Sequence, residues 1–156
     1  MRKILTAFTL LLLSACSKTK SIEKSIHFDL ATLSGPSALM AIVSKAPDGS
    51  VKIVSASDFG PASGLQLTGS TAYKPGQVVL MISFLEDLTG VKPTFLAPSA
   101  PKTGVRAVTP NQIYFSDLYK GDVPKLFDPL DPNAALIQDF ISMIYVSNSS
   151  TPTPTP

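Results

Sequence analysis

The sequence predicts a mainly β fold: a single β-sandwich domain with one C-terminal helix. Three observations carry that expectation. Fourteen prolines and nine glycines divide 156 residues into short apolar pieces. The pieces either alternate apolar with polar residues or stay apolar for the length of a strand. They recur at short intervals between turn signals, the rhythm of sandwiches and small barrels.

Taken in order, Ile26-His27-Phe28-Asp29-Leu30 alternates like a half-buried strand. Ser37 to Ser44, "SALMAIVS", is a continuous apolar run. Pro47-Asp48-Gly49 then supplies a turn, because proline presets φ and glycine tolerates φ > 0. Val51-Lys52-Ile53-Val54 returns as a strand, so residues 38–57 predict a hairpin. Leu65-Gln66-Leu67-Thr68 alternates again, and Pro75-Gly76 opens another turn. Gln77 to Phe84, "QVVLMISF", is apolar enough for a strand buried on both faces. Thr94-Phe95-Leu96, Val105 to Val108 and Gln112 to Phe115 supply shorter strands.

The end of the chain changes period. Asp131 reads as an N-cap and Pro132 as the first helical residue. Leu136, Phe140 and Ile144 recur at i, i+4 and i+8, flanked by Ile137 and Ile141, with Gln138, Asp139 and Ser142 opposite. That face is expected to pack on the sheet. The segment "SMIYVSN" is crowded with β-branched and aromatic residues, which leaves a final strand open as an alternative.

The N-terminus reads as a targeting segment. Met1-Arg2-Lys3 is a positive n-region, and Ile4 to Leu13 is an apolar run far short of the ~20 residues a spanning helix needs. Leu13-Ser14-Ala15-Cys16 resembles the lipobox of bacterial lipoproteins. That resemblance implies a signal peptide over residues 1–15, a diacylglyceryl group on the Cys16 thiol, cleavage before it and acylation of the new amine. Two or three acyl chains anchor a protein stably where one does not. Cys16 is the sole cysteine, so no disulfide forms within the monomer. Ser17 after Cys16 resembles the sorting pattern of outer-membrane lipoproteins.

Of thirteen Lys and Arg, two are Arg2 and Lys3 in the signal, which leaves eleven against eleven Asp and Glu. A neutral mature chain gives no reason to expect nucleic acid as a partner. Residues 16–25 are polar and read as a lipidated tether, residues 26–147 as one β-rich globular domain, and residues 148–156, "NSSTPTPTP", as a disordered, extended tail.

Residues 69–98, "GSTAYKPGQVVLMISFLEDLTGVKPTFLAP", resemble the Ig-like repeats of bacterial surface proteins. The likeness lies in Tyr73-x-Pro75-Gly76, the apolar strand ending at Phe84, then Glu86, Thr89-Gly90 and Pro93-Thr94. It implies an Ig-like sandwich; the "VVLMI" run departs from the alternating strand of such repeats.

Candidate chemistry is sparse. His27 is the only histidine, and His27-x-Asp29 shares one strand face. A zinc or copper site lacks its three or four ligands. Asp117, Asp122, Asp128 and Asp131 offer oxygens in an irregular stretch, yet without calcium-loop spacing. Tyr114, Phe115, Tyr119 and Phe127 in the same stretch suit either a binding surface or core packing. Glu86 and Asp87 are adjacent, so on a strand they point apart. Ser21-x-x-Lys24 with Lys102-Thr103-Gly104 matches fragments of the penicillin-binding set, but the serine sits in the tether and no S-D-N intervenes. Gly60-Pro61-Ala62-Ser63-Gly64 puts its serine one place off a nucleophile elbow.

The expectation is therefore a lipid-anchored, non-catalytic protein of the bacterial envelope, with no cofactor and no metal. It would sit at the outer membrane through lipids on Cys16 and act as a binding or structural module with a protein partner. Two alternatives stand beside it. One is a subunit of an envelope assembly that docks through residues 131–146; the other is a metal-binding or enzymatic accessory using His27 and the Asp117–Asp131 loop.

Overall fold

The computed structural model describes residues 24–26, 33–64, 71–116 and 125–148. Along the chain run β1 (Lys24–Ile26), β2 (Ser37–Lys45), β3 (Val51–Ala56), β4 (Thr71–Tyr73) and β5 (Gln77–Phe84). Then follow β6 (Thr94–Phe95), β7 (Val105–Ala107), β8 (Pro110–Phe115), β9 (Lys125–Leu126), α1 (Ala135–Ser142) and β10 (Ile144–Ser147). The fold is mainly β, with antiparallel sheets and one short C-terminal helix. Five strands pair in the order β3-β2-β5-β8-β9, three in the order β6-β10-β7, and β1 pairs with β4.

The apolar run of β5 explains its place at the centre of the five-stranded sheet. Every residue from Val79 to Phe84 is buried, as a strand covered on both faces requires. Leu80, Ile82 and Phe84 join Leu39, Ala41, Val43, Ile113 and Phe115 in the main core. Met81, opposite both Met40 and Tyr114, joins Leu33 in a second cluster on the other face. The main core also takes Ile144 and Val146 of β10 and Ile137 and Phe140 of α1. Phe59 meets Phe84 edge-on, ring centroids 5.1 Å apart.

The predicted hairpin is β2–β3. Gly49 adopts φ +87° in its turn, closed by Gly49 N–H donating to Ala46 O at 2.9 Å. Gly76 adopts φ +81° at the turn that leads into β5. Both turns stand where proline and glycine place them.

The C-terminal segment splits in two. Asp131 Oδ1 accepts from Asn133 N–H at 2.8 Å, but the cap opens a 3₁₀ turn over Pro132–Ala134 before α1 starts. The helix then stops at Ser142, earlier than the i+8 apolar repeat suggests, and Ile144 begins a strand. The alternative left open by "SMIYVSN" is the arrangement found. Ile144, Tyr145 and Val146 are buried between β6 and β7, where β-branched and aromatic side chains fit a pleated surface.

Other boundaries differ modestly. β1 begins at Lys24, within the segment read as a tether, and pairs Lys24 with Tyr73. β8 starts at Pro110, a position where a strand tolerates proline. The alternating stretches His27–Leu30 and Leu65–Thr68 lie outside the described residues.

Candidate functional site

Among the described residues, Ser37, Ser83 and Ser116 are the buried polar side chains. Each is tied to backbone. Ser37 Oγ donates to Glu86 O at 2.7 Å. Ser83 Oγ accepts from Gln112 N–H at 3.1 Å, beside the irregularity between Ile82 and Phe84 in the β5–β8 ladder. Ser116 Oγ accepts from Val79 N–H at 2.9 Å, just past the end of β8. Ser83 and Ser116 thus satisfy backbone N–H groups, and Ser37 a backbone carbonyl, as burial demands. Among the described residues no buried side-chain nitrogen or oxygen lacks a partner.

The acids are similarly engaged. Glu86 accepts from Thr109 N–H at 3.1 Å with each carboxylate oxygen, and from Thr109 Oγ1 at 2.8 Å. Arg106 Nη1 stands 3.8 Å from the same carboxylate. Glu86 thus joins the exit of β5 to the β7–β8 connection, 23 residues away. The sequence places Glu86 beside Asp87 and within the Ig-like likeness of residues 69–98. No local signal pairs it with Thr109, because the contact follows from the antiparallel return of β8.

Asp87 instead closes its own turn, accepting from Thr89 N–H at 3.1 Å. Bonds from the Thr89 side chain and backbone hold its carboxyl below the ordinary aspartate pKa. Asp128 Oδ1 accepts from Leu130 N–H at 2.8 Å, and Asp131 caps as described. Both aspartates are therefore turn formers. No group of three His, Cys, Asp or Glu side chains suited to a metal ion occurs among the described residues. Cys16, His27, Asp117 and Asp122 lie outside them.

The remaining motifs take simple places. Ala62–Gly64 forms a 3₁₀ turn with Ser63 exposed. Thr103 and Gly104 form a turn, and Lys102 Nζ lies 5.0 Å from the Tyr145 ring centroid. Tyr114 and Phe115 are core residues, while Phe127 packs partly buried against the main core; Tyr119 lies outside the described residues.

The surface carries a few large apolar side chains. Leu126 is 71% exposed on β9 and Leu130 85% exposed in the turn that follows; Leu85 and Val54 are exposed elsewhere. Such side chains, singly placed, are ordinary on soluble surfaces. Comparison with protein-family models, curated proteins and solved structures finds no match.

The described geometry therefore holds turns and patches ladders. Glu86, Thr109 and Arg106 form a small polar cluster drawn from different parts of the chain.

Proposed function

We propose that this chain is a lipid-anchored, non-catalytic protein of the bacterial envelope, a binding or structural module held at the membrane by acyl chains on Cys16. The observation that carries the proposal is the lipobox Leu13-Ser14-Ala15-Cys16, placed between an apolar h-region and a polar tether. The way the described polar side chains are taken up in turns and ladders is consistent with a module lacking catalytic groups. The outer membrane is the location proposed, on the strength of Ser17 after Cys16.

A finer description of the domain belongs to the same proposal. The five-stranded and three-stranded sheets stack as the two layers of an Ig-like sandwich. Support comes from a core that draws Leu80 and Ile82 from one sheet and Ile144 and Val146 from the other.

Metabolic labelling with palmitate tests the anchor. The wild-type chain takes up label and enters the detergent phase on Triton X-114 partitioning; Cys16→Ser takes up none and stays aqueous. A wild-type chain without label, or a variant that partitions like it, overturns the assignment. Protease shaving of intact against lysed cells then separates an outward-facing binding module from one that faces the periplasm.

A further inference from the structure

The strand register gathers three of the described lysines at one end of the five-stranded sheet. Ser44 of β2 pairs with Lys52 of β3 on one side and Gln77 of β5 on the other. Lys52, Ser44 and Gln77 thus form one row about 10 Å across, at about 4.8 Å per strand spacing. Lys45 is the next residue of β2, and Lys74 is locked to the same row: its N–H donates to Gln77 Oε1 at 2.9 Å, and Gln77 N–H donates to its carbonyl at 3.0 Å. Lys45, Lys52 and Lys74 are all exposed. The acid at this end is Asp48, in the hairpin turn, where it accepts from Ser50 N–H at 2.9 Å and Ser50 Oγ at 2.6 Å.

Asp58, Glu86, Asp87, Asp128 and Asp131 lie toward the other end of the sheet. Asp58 precedes the bridge of Gly60 to Ala38, Glu86 and Asp87 follow β5, and Asp128 follows Phe127, whose N–H donates to Asn111 O at 2.9 Å. Arg106, Lys92, Lys102 and Lys125 lie away from the hairpin end as well and largely offset those acids, so the unbalanced charge is the positive one at the hairpin end.

The chain also enters at the basic end. Lys24, the first residue of β1, pairs with Tyr73, which directly precedes Lys74. Only seven residues, Ser17 to Glu23, separate Lys24 from Cys16 in the sequence. Fully extended, they span roughly 25 Å. An anchored domain is therefore held near the surface by its basic end, and a slack tether brings that end within the Debye length of about 8 Å.

We infer that the hairpin end of the sheet, built from Lys45, Lys52 and Lys74, rests on anionic lipid headgroups and orients the domain with the opposite end away from the membrane. This rests on the lipid anchoring proposed above. Each lysine near an anionic surface strengthens association about fivefold, so three contribute roughly a hundredfold.

The test uses the full lipidated chain on two kinds of vesicle, phosphatidylethanolamine with phosphatidylglycerol, and phosphatidylcholine alone. A membrane-impermeant amine-acylating reagent is added, and each lysine is read by mass spectrometry, with Lys92 at the other end as internal reference. On anionic vesicles Lys45, Lys52 and Lys74 react about fivefold more slowly than on neutral ones, Lys92 reacts equally on both, and high salt abolishes the difference. Equal rates on both vesicles, with the chain still bound, overturn the basic contact and leave the anchor standing. Protection in cells but not on anionic vesicles also overturns it, in favour of an acidic protein. If the chain fails to float with neutral vesicles, the anchor has failed instead. The contact is then decided by Cys16→Ser on anionic vesicles, with and without Lys45→Gln, Lys52→Gln and Lys74→Gln. A roughly hundredfold loss of partitioning in the multiple variant, with unchanged melting, upholds it; no loss refutes it.

Discussion

Thr109 is bound through both its backbone N–H and its hydroxyl to the carboxylate of Glu86, at 3.1 Å and 2.8 Å. This pair fixes the corner where β5 leaves the sheet and β8 enters it. Charge-assisted hydrogen bonds outweigh an exposed ion pair, and Arg106 is both 3.8 Å away and 41% exposed. Glu86→Ala is expected to lower stability by about 1–2 kcal/mol, and Arg106→Ala by less than about 0.5 kcal/mol. Urea midpoints of the two variants decide it; equal losses would show that the ion pair, not the threonine, holds the corner.

Gly35 carries the most constrained backbone position among the described glycines. Its φ is +132°, and a Cβ there would stand 2.9 Å from Phe84 O, an atom of the central strand that cannot step aside. Gly35→Ala should cost about 3 kcal/mol, strain and overpacking together. Gly104, at φ +74° with nothing within 4 Å of a Cβ, should cost only about 1 kcal/mol as alanine. Denaturant unfolding of both separates steric contact from backbone strain, and the order Gly104 above Gly35 would contradict the packing described.

Phe140 is fully buried and stacks at 5.8 Å on Phe95, so Phe140→Ala should cost about 3–5 kcal/mol. Leu130, 85% exposed, should tolerate alanine within about 0.5 kcal/mol. Thermal melts of the two variants also bear on docking through residues 131–146. If Phe140→Ala leaves the melt unchanged, that face is available to a partner and is not core.

Asp48 and Asp87 set an acid limb. Hydrogen bonds from the Ser50 side chain and then its backbone hold Asp48 below the ordinary value of 3.8, as Thr89 does for Asp87. A carboxyl depressed in the folded state adds stability that is present above pH 3.8 and lost as pH falls through the lowered value. Ser50→Ala should return the Asp48 midpoint toward 3.8 in a carboxyl-carbon NMR titration and leave Asp87 where it was. An unmoved Asp48 midpoint would remove the Ser50 hydroxyl as the cause.

Strong local patterns in the sequence translated directly into elements. The β2–β3 hairpin announces itself through Pro47-Asp48-Gly49 between two β-forming runs, β5 through eight residues with no helix period or charge, and α1 through its apolar stripe, while Asp131 caps the 3₁₀ turn before it. Short strands that exist only because a partner is present were harder. β9 has two residues and no apolar pattern, and β10 competes with a helical repeat that runs on through Ile144. Tertiary pairing between β6 and β7 decides that competition, and no window of sequence contains it. For the same reason Glu86 and the buried serines were invisible as partners: their bonds bridge 23 to 49 residues. The proposal for Cys16 rests on its neighbours in sequence alone, since a processing signal of the lipobox kind is read as sequence and needs no fold.

The last strand to be synthesised, β10, occupies the middle of its sheet, and α1 just before it supplies Ile137 and Phe140 to the core. A chain emerging N-terminus first therefore presents Leu39, Leu80 and Ile82 long before the residues that cover them. The main core is therefore incomplete until Ile137, Phe140, Ile144 and Val146 have left the ribosome.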